Sequence, residues 1–506
     1  MPLKTRLSKE YPLWLWLLII LIPLSTLVPY VVLNYQTPPG MEFTGFIFAS
    51  DDPDSYLANM RLAQYGWKYH FMFTPEETKG GYIFLFYIFL GKLALLSKVP
   101  FIVMFHLARV VSGMVLLLSG WLFLKTLNLT DSERNWSFVV FSLGVQFPVF
   151  CHNYWGLMIY YPEVSQLANI LLLPHIAFAQ ALFVLGLYFL QVWLASGKAL
   201  YVVAGNLAVL GMALVYPYIL LPFLLVSLFI AGFRKRGSSV IERLKPAAFL
   251  IAGSPYVFYL LFLITQPDFR QWQSQSATIL SSPLEFVAFN SLVVFTGFFG
   301  LFLIFRREGL RSQLFWVYAS PLLLMSLPLS FQERLLAGAG PGLSFAAGYT
   351  INSIGLRFGK RYMTYVLLAL FVIPAAVPLL APILNPPARS FMTSAEVSMY
   401  AWMETNLTGK DVVLADLPHS LRIPGRAGCR VWCGHHDQTF NVDEKHRQLK
   451  RFFTDDGFDR DRFLRENNID YVLLGAEGPT ILPVRSLAAV KRCGDLTLYK
   501  KEPAGG

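Results

Sequence analysis

The sequence predicts a polytopic α-helical membrane protein of about eleven transmembrane helices, followed by a small soluble α/β domain at the C-terminus. Three observations predict it. Hydrophobic residues make up 55 % of the 506 positions and charged residues only 14 %. Soluble domains carry about a quarter charged residues, so most of this chain needs the bilayer as its solvent. Long apolar runs recur through 1–385, divided by short basic clusters. Beyond 385 the charges spread evenly, and helix-like stretches alternate with strand-like ones.

The N-terminus carries Lys4, Arg6 and Lys9 before an apolar run at 13–33. That run is longer than the apolar core of a secretory signal and ends in Asn34-Tyr35-Gln36, so it reads as an uncleaved first span. Its basic flank places the N-terminus in the cytoplasm. Residues 35–100 then form a large extracytoplasmic loop. Tyr56, Leu57, Met60 and Ala63 recur on one face of a short amphipathic helix there, with Gly66 as its stop. The apolar stretch 82–96 is short for a span and holds Lys92, which places it at the interface. Further spans are expected at 102–125, 137–151, 175–195, 200–215, 217–233, 246–265, 284–305, 313–330, 335–356 and 362–384.

Charge checks this alternation. Loops assigned to the cytoplasm carry Lys125, Arg134, Lys198, Arg234-Lys235-Arg236, Arg306-Arg307 and Arg357. Outer loops after the first carry only Arg270 and Arg334 before the tail. Reading 82–96 as a full span would put every later cluster outside, against the positive-inside rule. With eleven spans the segment 386–506 lies outside. It reads as an α/β domain: a helix capped by Ser394 and running to Glu404, strands at 411–415 and 470–474, and helices at 443–453 and 459–466. The net charge of +11 sits in helix-flanking clusters, which argues against a nucleic-acid partner. Cys151, Cys429, Cys433 and Cys493 are too few for a disulfide framework. Cys429 and Cys433 are four apart in a strand-like stretch, too distant to bridge each other.

Candidate chemistry centres on Asp51, Asp52 and Asp54 at the start of the amphipathic helix. Asp52-Pro53 is good helix-capping chemistry. Neighbouring carboxylates can also share a metal, or one of them can act as a base with a raised pKa. Glu76 and Glu163 lie in loops assigned to the same side and can converge over one cavity, although a lone loop carboxylate is more often simply solvated. Arg109 stands inside the second expected span, where it either snorkels to the interface or serves a function such as binding a lipid phosphate. Arg334 stands at an outer helix end and invites the same choice, with Glu333 or lipid headgroups as its ordinary partners. His175 after Pro174 reads as an interfacial residue or a ligand contact. Gly434-His435-His436-Asp437 looks metal-like, but in a strand its two histidines would point to opposite faces.

These features in this order resemble the GT-C superfamily of membrane glycosyltransferases, particularly its protein O-mannosyltransferase and aminoarabinose transferase branch. The resemblance rests on Asp51-Asp52 with Tyr56 in a long first loop, then Gly80-Gly81-Tyr82, then Ala108-Arg109-Val110-Val111-Ser112-Gly113. Thr74-Pro75-Glu76, Pro162-Glu163, Pro174-His175, Phe331-Gln332 and Gly434-His435 add to it, and it covers most of the membrane part and the tail. A His-Pro or Lys-Pro-Pro pattern is absent before Tyr82, as is the Trp-Trp-Asp motif of oligosaccharyltransferases.

The resemblance implies a GT-C-like fold and transfer of a sugar from a polyprenyl-phosphate-linked donor, with inversion, on the extracytoplasmic side of the cell membrane. It implies Asp52, with Asp51 and Glu76, as catalytic residues, and Tyr56, Arg109, Glu163, His175 and Arg334 as substrate-binding residues. If a divalent cation takes part, Asp52 and Glu163 are its ligands, although nothing in the sequence requires one. The acceptor remains open between glycan, lipid and protein. A transporter or lipid flippase is the rival reading, against which stands the lack of a repeated half.

Overall fold

A computed structural model describes residues 11–47, 52–144, 162–232, 245–278, 291–305, 327–357, 361–475 and 486–502, with the single positions 239, 323 and 484. The chain divides into two compact units. The first comprises Met1–Val31, Phe105–Leu260 and Ala277–Asn385; the second comprises Val32–Met104, Leu261–Ser276 and Pro386–Gly506. The C-terminal segment therefore packs with the first loop and with 261–276 in one body.

Among the described residues three helices are long and apolar enough to cross a bilayer: Leu13–Tyr35, Phe101–Thr126 and Pro174–Ser196. Shorter apolar helices are Leu85–Ser97, Ala199–Val215, Pro217–Ile230, Ser254–Leu263, Val293–Ile304 and Phe371–Leu384. The expected count of eleven is thus not reached among the described residues. One reason is local. The run 246–265 is not a single helix, because a 3₁₀ segment Lys245–Leu250 and a turn at Gly253 precede Ser254–Leu263. The half-buried amide of Asn206 holds that break: it donates to the Ala248 carbonyl and accepts from the Ala252 N–H. Most of the expected span 313–330 lies outside the described residues, as does 145–151 of the span 137–151.

Helix Leu336–Arg357 is the centre of the first unit, buried at every position from Leu336 to Asn352. Small residues allow this, since helices can approach backbone to backbone where no side chain intervenes. A Cβ on Gly348 would stand 2.4 Å from Ser137 Cα, and one on Gly300 would stand 2.3 Å from the Ala346 carbonyl oxygen. The neighbouring helix Asp131–Leu143 starts on a capping box, Thr130 accepting from the Glu133 N–H and Glu133 from the Thr130 N–H.

In the second unit, β1 (Met41–Phe43) pairs antiparallel with β2 (Phe391–Thr393). A five-stranded sheet comprises β3 (Val412–Leu414), β4 (Arg430–Val431), β5 (Tyr471–Leu474), β6 (Leu487–Cys493) and β7 (Leu496–Lys501). Their order is β4-β3-β5-β7-β6, with β3 parallel to β4 and β5, and β7 antiparallel to β5 and β6. Helix Leu417–Ala427 connects the parallel strands β3 and β4, while Val442–Thr454 and Arg460–Glu466 precede β5. Their core gathers Trp432, Phe452, Phe463, Leu464 and Val472. Two local expectations are corrected. The helix Ser394–Asn406 is capped by Thr393, whose side chain reaches the Glu396 N–H, not by Ser394. The stretch 434–437 is a turn and not a strand, with His435 capping the 3₁₀ helix His436–Gln438. Cys429, Cys433 and Cys493 are free thiols, and burial pushes Cys429 and Cys433 up to about 12.

Candidate functional site

Helix Asp52–Arg61 is gripped on two sides within the second unit. Gly91 of helix Leu85–Ser97 lies against it so closely that a Cβ there would meet the Met60 carbonyl oxygen at 2.0 Å. Gly425 of helix Leu417–Ala427 approaches the Asp54 carbonyl oxygen in the same way, at 2.4 Å. Arg61 completes the clamp, with Nε donating to the Gly425 carbonyl, one Nη to the Arg426 carbonyl and the other to Glu404, each at 2.6 Å. A side chain on this helix is therefore carried by a rigid platform.

The carboxylates on this platform have different surroundings. Asp54 is ion-paired with Arg426, Nε to Oδ1 2.7 Å, and both side chains are largely buried. Glu76 receives Lys445 Nζ at 2.7 and 2.9 Å and also the Thr74 hydroxyl. Burial holds the Lys445 ammonium below its ordinary range, with Glu76 opposing. Asp52 instead keeps a side chain 49 % exposed, with His435 Nε2 3.3 Å from its Oδ1. The backbone N–H of Asp437 donates to His435 Nδ1 at 3.2 Å, and this pattern assigns the proton of the neutral ring to Nε2, aimed at Asp52. His435 is itself held by packing on Phe73, and Gly434 leaves room for that ring, since a Cβ there would stand 2.7 Å from Phe73. Asp51 lies outside the described residues.

Tyr56 stacks on Tyr87, ring centroids 4.5 Å apart and nearly parallel. Tyr87 is fully buried, and burial, with the Asp52 charge adding to it, holds its phenol well above its ordinary range while a hydrogen bond with Tyr56 opposes. Tyr87 and His435 are the residues around Asp52 that sequence reasoning missed. His435 was weighed as a metal ligand and as part of the Gly434-His435 motif, not as a partner of Asp52, from which it lies 383 residues away.

Arg109, Glu163, His175 and Arg334 belong to the first unit. Arg109 is completely buried. Its Nη1 donates to the Leu171 carbonyl, to Tyr30 Oη at 3.1 Å and to the Ile170 carbonyl at 3.5 Å, and its Nε to His106 Nδ1 at 3.1 Å. The guanidinium lies 4.1 Å over the Tyr30 ring, whose hydroxyl donates to the same Leu171 carbonyl at 2.7 Å. These carbonyls end the short helix Gln166–Leu172, and Pro174 has no N–H to offer Ile170. Arg109 thus supplies donors that a broken helix lacks, at the helix end where a cation is favoured. Among the described residues its Nη2 has no hydrogen-bond partner.

The Glu163 carbonyl accepts from Gln180 Nε2 at 2.7 Å and from Asn169 Nδ2 at 3.3 Å, and Gln180 also donates to the Ala337 carbonyl. His175, in the first turn of Pro174–Ser196, packs edge-on against Tyr216. Arg334 lies over the Tyr218 ring at 4.8 Å and donates to Tyr218 Oη at 3.1 Å and Thr278 Oγ1 at 3.3 Å. Among the described residues no three His, Cys, Asp or Glu side chains stand together as a metal site.

Helices long and apolar enough to cross a bilayer mark a membrane protein, and within its second unit an acid stands on a firmly clamped helix. The particular likeness is to the arabinofuranosyltransferase AftD from Mycobacteria, with a TM-score of 0.60 at 14 % identity over 96 % of this chain. ArnT from Cupriavidus metallidurans bound to undecaprenyl phosphate matches with a TM-score of 0.56 at 12 % identity, over 96 % of this chain and 97 % of that one. The apo state of that ArnT gives 0.55 at 13 %. This chain spans only 40 % of the AftD chain. Both relatives are GT-C superfamily membrane glycosyltransferases, and the chain shares their fold. No family model and no curated protein sequence matches it.

Proposed function

We propose that this chain is a glycosyltransferase that moves a sugar from a polyprenyl-phosphate-linked donor to an acceptor hydroxyl on the extracytoplasmic side of the cell membrane. The acceptor O–H gives its proton to Asp52. The oxygen forms a bond to the anomeric carbon from the face opposite the phosphate, and the sugar–phosphate C–O bond breaks with its electron pair leaving on the lipid phosphate. The product is inverted at that carbon. The fold shared with AftD and with an ArnT bound to undecaprenyl phosphate supports the donor class. In this reading the eleven-span topology holds, with the N-terminus cytoplasmic and 386–506 outside. Arg334, oriented by the neutral hydroxyls of Tyr218 and Thr278, takes the donor phosphate.

The observation that carries the assignment of the base is the contrast among carboxylates. Asp54 and Glu76 are committed to Arg426 and Lys445, whereas Asp52 is half-exposed on a rigid helix and oriented by a neutral His435. The test is the transfer rate of purified Asp52→Asn with polyprenyl-phosphate sugars. Asn caps a helix about as well as Asp, so folding is expected to be kept while the rate falls about 10²–10⁴-fold. Near-wild-type transfer removes Asp52 as the base.

A further inference from the structure

Residues 65–85 fold into an open cup beyond the end of the helix that carries Asp52. Gly66 makes the first bend with φ +144°, a backbone region that L side chains rarely adopt. Tyr69 and Gly81 then pair antiparallel, N–H to carbonyl at 2.8 and 3.0 Å, which brings Tyr82 to the side of the chain that holds Trp67. Gly80 is left-handed, φ +66°, and packs under His70 so tightly that a Cβ would stand 2.6 Å from His70 Cε1. The result is a concavity of about 550 Å³, in the range of small-molecule sites.

Three large aromatic side chains line it and stay exposed: Tyr65 by 62 %, Trp67 by 47 % and Tyr82 by 43 %. Single exposed aromatics are ordinary, but three around one hollow mark a binding surface. The polar groups narrow its chemistry. Lys68 Nζ lies 5.8 Å over the Tyr82 ring and supplies N–H donors. Burial holds His70 below its ordinary pKa, so the ring is neutral; it hydrogen-bonds the Thr78 backbone through one nitrogen, which leaves the other as an acceptor. Aromatic faces, a donor and a neutral acceptor fit the apolar C–H face and the hydroxyls of a sugar ring. A lipid tail would leave the imidazole acceptor unmet, and the two ammonium groups at the cup, Lys68 and Lys92, each lie over an aromatic ring, Tyr82 and Trp67, at 5.8 Å.

We propose that this cup binds a neutral sugar residue of the acceptor, and that the acceptor is therefore an oligosaccharide or polysaccharide. Thirteen residues of mostly helical chain at about 1.5 Å each separate Tyr65 from Asp52 by about 20 Å, a span that one sugar cannot bridge. The inference deepens the transferase reading and rests on it.

The test is ligand-observed saturation-transfer NMR on the full-length protein in nanodiscs, with neutral tetrasaccharides of mannose, glucose, galactose and arabinofuranose as probes. Wild type and Asp52→Asn should both pass saturation to at least one probe. Trp67→Ala and Tyr82→Ala should bind about tenfold more weakly. Trp67→Phe, which keeps a ring, should bind as wild type, and Lys68→Gln, at an exposed position, serves where an alanine variant unfolds. Equal signals in all variants overturn the cup. So does silence from every probe, or saturation that passes through Trp67 to lipid protons instead. Sugar binding without transfer from any polyprenyl-phosphate sugar would sink the transferase reading and leave the cup standing.

Discussion

Arg109→Met replaces a buried guanidinium by an apolar chain of similar reach, and its cost can be worked from the contacts. The Ile170 carbonyl loses its side-chain donor and the Leu171 carbonyl keeps only Tyr30. A buried polar group left unsatisfied costs about 1–3 kcal/mol. The stacked cation over Tyr30, fully desolvated at 4.1 Å, is worth about 2 kcal/mol. Against these stands the relief of an Nη2 that has no partner among the described residues, about 1 kcal/mol. The net expectation is a loss of about 2–4 kcal/mol of stability, overlapping the lower part of the roughly 3–5 kcal/mol range for broken buried charge contacts. The assay is unfolding of the purified protein in SDS-containing mixed micelles, paired with titration of undecaprenyl phosphate into the folded fraction. Stability should fall while affinity per folded molecule stays within about twofold, because the donors of Nη1 and Nε are already spent on protein acceptors and Nη2 is fully buried. Arg109→Lys should fall between, since one ammonium lacks the fork that spans Tyr30 and the helix end. Unchanged stability with donor affinity down tenfold would refute this reasoning and make Arg109 the phosphate ligand that the sequence alone invites.

Three further outcomes follow from the second unit. His435→Leu should lower the transfer rate on the order of 10²-fold at unchanged donor KM, with partial rescue in His435→Gln, because a misdirected base loses rate without losing donor contacts; identical kinetics in all three proteins would remove His435 as a positioning residue. Glu76→Gln strands the buried Lys445 and should cost about 1–3 kcal/mol of stability in urea titration, discounted for the half-exposed carboxylate, while transfer per folded molecule stays unchanged. Burial alone would raise Asp416 and lower His419, but their 2.5 Å contact outweighs it, so Asp416 lies below its ordinary pKa and His419 above. Stability from Asp416 is lost as pH falls through its folded pKa, and stability from His419 as pH rises through its own, so melting temperatures of His419→Asn should trail wild type most near pH 5 and least near pH 8.

Features encoded within a few residues were legible. Expected and observed boundaries agree closely for the helices at 102–125 and 175–195 and for the strands at 411–415 and 470–474. There, periodicity and apolar length speak locally. The Thr393 cap was missed by one position because Thr393 and Ser394 offer the same hydroxyl, and only the Glu396 pairing three residues on separates them. The break inside 246–265 was not legible, because the amide that stabilises it belongs to Asn206, some forty residues earlier and in another helix.

The same reasoning governs the candidate site. Asp52 and Asp54 stand in one helical turn with equal claim to catalysis or capping. What parts them is Arg426, 372 residues away, which claims Asp54, while His435, 383 residues away, meets Asp52 with a neutral N–H. A full ion pair fixes a carboxylate's charge and competes with any incoming hydroxyl for its lone pairs. A neutral donor orients a carboxylate without the full counter-charge that would hold it ionised. Charge clusters in a sequence therefore name the helix on which a base can stand, and the distant segment that packs on that helix decides which member of the cluster can act.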